Sequence, residues 1–301
     1  MRAGTKRRRN NGQLHLMLVP GLILIAVFSY LPMAGLSIAF QDFNPIVGFN
    51  KLNWNGMDNF EYMWALPDFM PAVKNTVIIS IMKIAAGILV PVTAALLLNE
   101  VRSVLFKRSV QTVIYMPHFF SWVILGGIVI DVLSPGEGIV NQIIQAFGGK
   151  PISFLSSNQW FRYVLVITDQ WKEFGFSTIV YLAALTSIDQ GLYEAAVMDG
   201  AGRWRQTWNV TLPGIRPIVV LMATLSLGNI LNGGFDQVFN LYNPMVYRTG
   251  DILDTLVYRI GIVQTQYAVA AAIGLIKSVV SLALIGFGYW IAYRFAKYRI
   301  F

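Results

Sequence analysis

"EAAVMDGAGRWRQTWNVTLPGIRPI" (residues 194–218) is a polar, tightly punctuated block between two long apolar runs. It holds Glu194, Asp199, Arg203, Arg205 and Arg216, with glycines at 200, 202 and 214 and prolines at 213 and 217. Leu, Tyr, Glu, Ala and Met all tolerate a helix, so residues 192–199 are predicted as a short one, with Asp189 or Gln190 as its cap. Gly200 and Gly202 offer the φ freedom for a sharp turn. A second short helix follows over 203–210, with Trp204 and Trp208 one turn apart on one face. Leu212-Pro213 ends it, because the residue before a proline is pushed out of the α region, and Pro217 suits the first turn of the next segment. Two readings fit this helix-turn-helix. Small Ala195 and Ala196 would let another protein approach closely. Alternatively the block rests on lipid headgroups, with its tryptophans at the interface and its arginines on phosphates.

Working outward, the chain is 55% hydrophobic and 13% charged, against about 25% charged in soluble domains. The net charge of +8 does not argue for nucleic acid, since a polar basic face is needed and the chain has little polar surface. There is no cysteine, which excludes disulfides and thiolate chemistry and leaves the redox compartment open. Crossing about 30 Å of hydrocarbon takes roughly 20 apolar residues. Six segments qualify: 16–40, 75–98, 109–130, 163–188, 218–235 and 267–293. They are continuous runs, so helices are expected rather than the alternating strands of a barrel. The expected fold class is an all-α integral membrane protein of six transmembrane helices, with the polar block as a cytoplasmic helix between spans four and five. A basic segment (1–15) precedes the six-span domain (16–301). "MRAGTKRRR" resembles a signal-peptide n-region, but the apolar run after it exceeds the usual h-region of about 7–15 residues.

Orientation follows Lys and Arg. With the N-terminus inside, the inner pieces hold fourteen of them and the outer pieces six. Both termini and the 189–217 block are therefore expected in the cytoplasm, with outer loops at roughly 41–74, 131–162 and 236–266.

Glu194-Ala195-Ala196, three residues, Gly200, nine residues, then Val210-Thr211-Leu212-Pro213 resembles the EAA loop of permease subunits of bacterial ABC importers. The pattern there ends in Ile-x-Leu-Pro, and Val210 is the one departure. Six spans with this loop between the fourth and fifth resemble the MetI-like permease fold. "YLPMAGLSIAFQDFNP" (30–45), "MPHFFSWVILGGIV" (116–129) and "NGGFDQVFNLYNP" (232–244) resemble the oligosaccharide and polysaccharide branch of carbohydrate importer permeases. The resemblance implies that the block is a coupling helix docked on a cytoplasmic ATPase, with Glu194, Ala195, Ala196, Asp199, Gly200, Leu212 and Pro213 at that junction. It also implies the partners: a second homologous permease, two ATP-binding subunits and an extracytoplasmic sugar-binding protein, in the bacterial cytoplasmic membrane. No G-x-x-x-x-G-K-[ST] loop is present. ATP and Mg are thus expected on the partner subunits, with no cofactor, metal or enzymatic activity in this chain. His15 and His118 have no metal-ligand spacing.

Lys83, Asp169, Lys172, Glu173 and Lys277 each fall near mid-membrane by helical rise. An unpaired charge there costs at least about 2.5–3.5 kcal/mol. Either they pair (Asp169 with Lys172, Glu173 with Lys83 or Lys277), or some line a sugar path. Three lysines against two acids would suit an acidic sugar. A proton relay is a further possibility, and a self-contained ion-coupled secondary transporter is the rival to the importer. Asn229, Asn232, Phe235 and Asp236 add amides, an aromatic face and a carboxylate suited to sugar hydroxyls and C–H surfaces. Asn229 and Asn232 would share a helix face before Gly233-Gly234 breaks the helix, although they could equally bond across helices as packing glue.

Overall fold

A computed structural model of the chain describes residues 12–43, 46 and 53–296. Most of the basic N-terminal segment, and Lys297 and Arg299 at the other end, lie outside the described residues. The fold is almost wholly helical, with one two-residue-per-strand ribbon, β1 (Gln41–Asp42) and β2 (Asn53–Trp54). The helices are α1 (Leu16–Phe40), α2 (Asp58–Ala65), α3 (Phe69–Glu100), α4 (Val104–Phe119), α5 (Trp122–Leu133), α6 (Ile139–Ala146), α7 (Phe161–Thr186), α8 (Gln190–Met198), α9 (Arg203–Leu227), α10 (Phe235–Leu241), α11 (Tyr247–Gly250), α12 (Leu253–Tyr258) and α13 (Tyr267–Ala296).

Among the described residues, α1, α3, α9 and α13 are each long and apolar enough to cross a membrane, and a fifth span arises if α4 and α5 act together. Those two are not the single span expected over 109–130. They meet at 105°. Pro117 sits in a tight turn over Met116–Phe119, and Ser121 then caps a new helix by accepting the Ile124 N–H. The cap restarts the backbone pattern in a new direction, which an apolar run conceals.

α7 has 26 residues but carries Arg162, Asp169, Lys172 and Glu173, too many charges to face lipid. Its charged face turns into the bundle instead, and Tyr163, Ile167 and Trp171 on the other face stay exposed. Its N-terminal half packs Phe161, Val164 and Leu165 against Ile79 of α3, Val129 of α5 and Val238 and Leu241 of α10. Its C-terminal half packs Tyr181, Ala184 and Leu185 against Ala95 of α3 and Ile215 of α9. Gly175 lets α4 come within backbone contact, since a Cβ there would lie 1.9 Å from the Ile114 carbonyl oxygen. A third cluster joins α2, α3, α12 and α13 through Met63, Phe69, Leu256 and Ile273.

α9 corrects two expectations. The second short helix does not stop at Leu212-Pro213. It runs on from Arg203 to Leu227 through a widened turn over Thr207–Thr211. Such a turn shifts the bonding to i→i+5, so the chain passes Pro213 without ending the helix. The fifth span also ends at Leu227, short of residue 235. Asn229 and Asn232 donate back to Ser226 and Asn229 as turns, and Gly233 is pressed against Ile252, where a Cβ would meet its Cδ1 at 2.9 Å. Gly234 has φ +88°, which glycine alone adopts freely.

Candidate functional site

The break between α9 and α10 opens a cavity of about 290 Å3 between α3, α7 and α9. Lys83, Asp169, Glu173, Asn229 and Asn232 line it together, with Ser80, Gly87, Gln170, Ser177, Tyr181 and Ser226. Five of the nine residues expected on a substrate path are thus brought to one wall.

The charges pair differently from the expected pattern. Lys83 reaches Asp169 at 3.1 Å, donates to the Gly233 carbonyl at 3.0 Å and to the Gln237 amide oxygen. Those three acceptors use all three of its N–H groups. Gln237 is fully buried and donates in turn to the Leu165 carbonyl and the Thr168 hydroxyl, each at 2.7 Å. Lys83 therefore ties the broken segment to α3 and α7. Lys172 does not meet Asp169. Its ammonium extends to the His118 carbonyl at 2.8 Å and to Glu173 at 3.2 Å, while the His118 ring contacts the other Glu173 oxygen at 2.8 Å and stacks on Phe176. Glu173 is bound from the α4 side, out of reach of Lys277. Lys277 pairs with Asp254 at the start of α12, an acid that the count over the spans left out.

Four expected residues stand off the cavity wall. These are Lys172, just behind it, Lys277, Phe235 and Asp236. Phe235 stacks on Phe239 at 5.2 Å and packs on Tyr258, and Asp236 is exposed in the first turn of α10, where a carboxylate suits the helix dipole. Asn229 and Asn232 share a turn, not a helix face, and bond to each other at 3.2 Å. Gln170, Ser80 and Gln237 were missed. Isolated amides and hydroxyls in an apolar run carry no periodic signal, and only their burial singles them out.

At the end of the bundle near the start of α3, Arg259 pairs with Asp251 at 2.7 Å and Asp68 at 3.0 Å and lies over the Tyr247 ring. Burial pushes the Asp251 carboxyl up, opposed by the Thr255 hydroxyl and the Arg259 guanidinium. Asn75 links Arg162 on α7 to the carbonyls of Arg248 and Asp251.

The block at 189–217 lies apart from the cavity. Asp189 caps α8 by accepting the Gly191 N–H at 2.9 Å. Gly200 turns the chain at φ +75°. Gly202 does not share that role: its φ of −67° is ordinary, so one left-handed residue completes the turn. Glu194, Ala195, Asp199 and Gly200 are exposed. Ala196 is half-buried in a groove of about 390 Å3 that α8 and the start of α9 enclose, lined also by Leu192, Asp199 and Arg205. Leu212 and Pro213 sit one turn into α9's apolar stretch, half-buried and exposed respectively. Tyr193 bonds Thr211 at 3.0 Å and Arg203 bonds Glu100 of α3 at 3.1 Å, which tie the block to the bundle. Val197, Met198, Trp204 and Trp208 remain exposed, and the two tryptophans pack edge to face at 5.9 Å.

Comparison with known proteins adds the family. Residues 87–297 match the family described as "Binding-protein-dependent transport system inner membrane component". The chain is 43% identical over 288 residues to Protein LplB of Bacillus subtilis (strain 168), covering 96% of this chain and 91% of that protein. It is 42% identical over 288 residues, 96% of this chain and 90% of the other, to the polygalacturonan/rhamnogalacturonan transport system permease protein YteP of the same organism. Among solved structures, a chain of a bacterial alginate ABC transporter in complex with an alginate pentasaccharide-bound periplasmic protein superposes with a TM-score of 0.88 at 37% identity, covering 97% of both chains. A helical bundle broken around a polar cavity, carrying an exposed two-helix block and matched over this length, belongs to the binding-protein-dependent inner membrane components: the chain is a permease subunit of an ABC importer.

Proposed function

We propose that this permease carries an oligosaccharide or a polysaccharide-derived sugar across the bacterial cytoplasmic membrane, in six spans with both termini in the cytoplasm. A second homologous permease completes the path. Two ATP-binding subunits hold ATP and Mg, and an extracytoplasmic sugar-binding protein delivers the substrate. The block at 189–217 is the coupling loop, through which nucleotide-driven closure of the ATPases is passed to the spans. Its Glu194, Ala195, Ala196, Asp199 and Gly200 face the ATPase, with Leu212 and Pro213 as the entry into the fifth span. The cavity residues Lys83, Asp169, Glu173, Asn229 and Asn232 belong to the sugar path.

One observation carries this reading. A short helix, folded back by a left-handed glycine, leaves Val197 and Met198 exposed beside a groove of small residues. Apolar surface of that kind outside lipid calls for a protein partner. Lipid headgroups would accept the tryptophans but have no use for the groove. The sugar comes from the names of the similar proteins and from a cavity walled by amides, hydroxyls and carboxylates. The test is reconstitution with the co-purifying ATPase subunits and the cognate binding protein. ATP-dependent uptake, absent from vesicles holding this chain alone, supports the reading. Uptake by the lone chain without ATP refutes it.

A further inference from the structure

Two buried polar atoms on the cavity wall have no protein partner. Ser80 is 3% exposed and its hydroxyl is unbonded; Gln170 is 9% exposed and its amide oxygen is unbonded. Both residues line the cavity. The Gln170 orientation is fixed by its surroundings. Its nitrogen faces the Lys83 carbonyl at 3.4 Å and an Asp169 oxygen at 3.5 Å, so exchanging the two amide atoms would set oxygen against oxygen. A third acceptor lies close by. Pro91, inside α3, has no N–H to return to the carbonyl of Gly87, and Gly87 is on the same wall. A buried polar atom without a partner costs roughly 1–3 kcal/mol, so Ser80 Oγ and Gln170 Oε1 are better accommodated when a hydroxyl, which both donates and accepts, occupies the cavity beside them.

The cations point the same way. Among the described residues lining the cavity, Lys83 is the one that carries positive charge, and its three N–H groups are committed to Asp169, Gly233 and Gln237. Lys172 and Lys277 are held by Glu173 and Asp254. An incoming carboxylate would find hydroxyl donors but no uncommitted cation on this wall, and would meet Asp169 and Glu173.

We propose that Ser80, Gln170 and the Gly87 carbonyl, beside Asp169, form a subsite that receives the hydroxyl donors of a sugar ring and supplies no counter-charge for a carboxylate. This rests on the cavity being part of the sugar path, and it refines which face of the sugar this subunit reads. Where the imported saccharide is acidic, its carboxylates are met by other subunits.

The chain has no cysteine, which makes a clean probe available. Ser177→Cys places a single thiol on the cavity wall. In the assembled importer in nanodiscs, maleimide labelling of that thiol is followed with methyl α-galactoside and methyl α-glucoside, and with the corresponding uronides, which differ only at C6. The neutral glycosides should slow labelling. Ser80→Ala and Gln170→Ala should each weaken that protection roughly three- to tenfold, the equivalent of about one hydrogen bond. The uronides should protect no better than the neutral pair, with no loss as salt is raised. Uronide protection tenfold stronger than neutral, and abolished by salt, overturns the subsite while leaving the cavity as the path. Protection by none of the four sugars, in an importer that still takes up its substrate, removes the path reading and the subsite with it. Ser80→Ala deletes one oxygen from a helix and keeps the test readable if Gln170→Ala fails to assemble.

Discussion

Replacing Lys83 with methionine keeps its length and removes its charge and donors, so it measures what the ammonium holds. The Lys83 side chain is 11% exposed and its partner Asp169 22%. Breaking a fully buried pair by removing one member costs about 3–5 kcal/mol, because the other charge is left uncompensated. Asp169 borders the cavity and keeps some hydration, so about 2–4 kcal/mol is the expected loss. Two acceptors also lose their donor, the Gly233 carbonyl and the Gln237 side chain. Gln237 keeps its own bonds to Leu165 and Thr168, so the damage should concentrate at residues 228–234 and spare the contact between α3 and α7. Lys83→Met with Asp169→Asn removes both charges and should recover part of the loss. The coupling between the two sites is then read from the full cycle. Thermal unfolding of the purified assembled importer is the primary assay, with sugar uptake measured in parallel. A Lys83→Met importer that unfolds at the wild-type temperature and yet transports nothing would refute the reasoning. Lys83 would then be spending its hydrogen bonds on substrate and not on the backbone.

Other outcomes follow from single contacts. Gly175→Ala would put a Cβ 1.9 Å from the Ile114 carbonyl oxygen, a main-chain clash that no rotamer relieves, so the assembled importer should be lost or unfold several degrees earlier; normal assembly would show that α4 is free to move off α7. A Cβ at Gly200 meets no atom of this chain within 4 Å, and Gly200→Val costs about 1–2 kcal/mol for its left-handed φ, whereas Glu194→Ala changes an exposed side chain; both should leave the fold and the docking of the binding protein intact and lower sugar-stimulated ATP hydrolysis, Gly200→Val more. Full stimulated hydrolysis and uptake in Gly200→Val would remove the coupling role. Gln145→Cys, exposed in the last turn of α6, should react with membrane-impermeant maleimide from outside, and a reporter fused after Phe301 should work only as a cytoplasmic one; labelling from the inside alone would overturn the orientation. Asn141 is unsuited to that test, since its buried amide bonds the carbonyls of Leu133, Ser134 and Ile152 and accepts the Ile152 N–H.

The parts legible in the sequence are those that local chemistry decides. Asp189 as a cap and Gly200 as the left-handed turn could be read because capping and φ freedom act within two or three residues. Gly202 and Leu212-Pro213 were misread for the complementary reason. A glycine permits a turn without requiring one, and a proline ends a helix only when the preceding turn cannot widen to admit it. The pairings of Lys83, Lys172 and Lys277 were beyond reach. Lys83 depends on Asp169, 86 residues on, and Lys277 on Asp254 in another helix; Lys172 has its acid next door in Glu173, but the His118 carbonyl that fixes its direction is 54 residues away. Depth along a helix says that a charge needs a partner and does not say which.

α7 shows where apolarity stops being a guide to membrane depth. Hydropathy reports what a helix shows to lipid, and α7 shows little of its polar side to it. Its charged and amide residues, Asp169, Gln170, Lys172 and Glu173, skip only position 171, so they gather on an arc of about 160°, less than half the helix circumference. The opposite stripe, Tyr163, Ile167 and Trp171, is exposed, so a single orientation turns the polar arc away from lipid. α3, α4 and the broken segment after α9 cover that arc between them: Lys83 at Asp169, the His118 carbonyl and ring at Lys172 and Glu173, and the cavity between. A helix covered in this way need not be apolar on its covered face, and one that is wholly apolar, such as α1, is left at the rim with its hydrophobic side chains exposed. The polar centre and the greasy rim are therefore one arrangement. The least lipid-like helix of the six apolar segments is the one around which the others, and the cavity, are assembled.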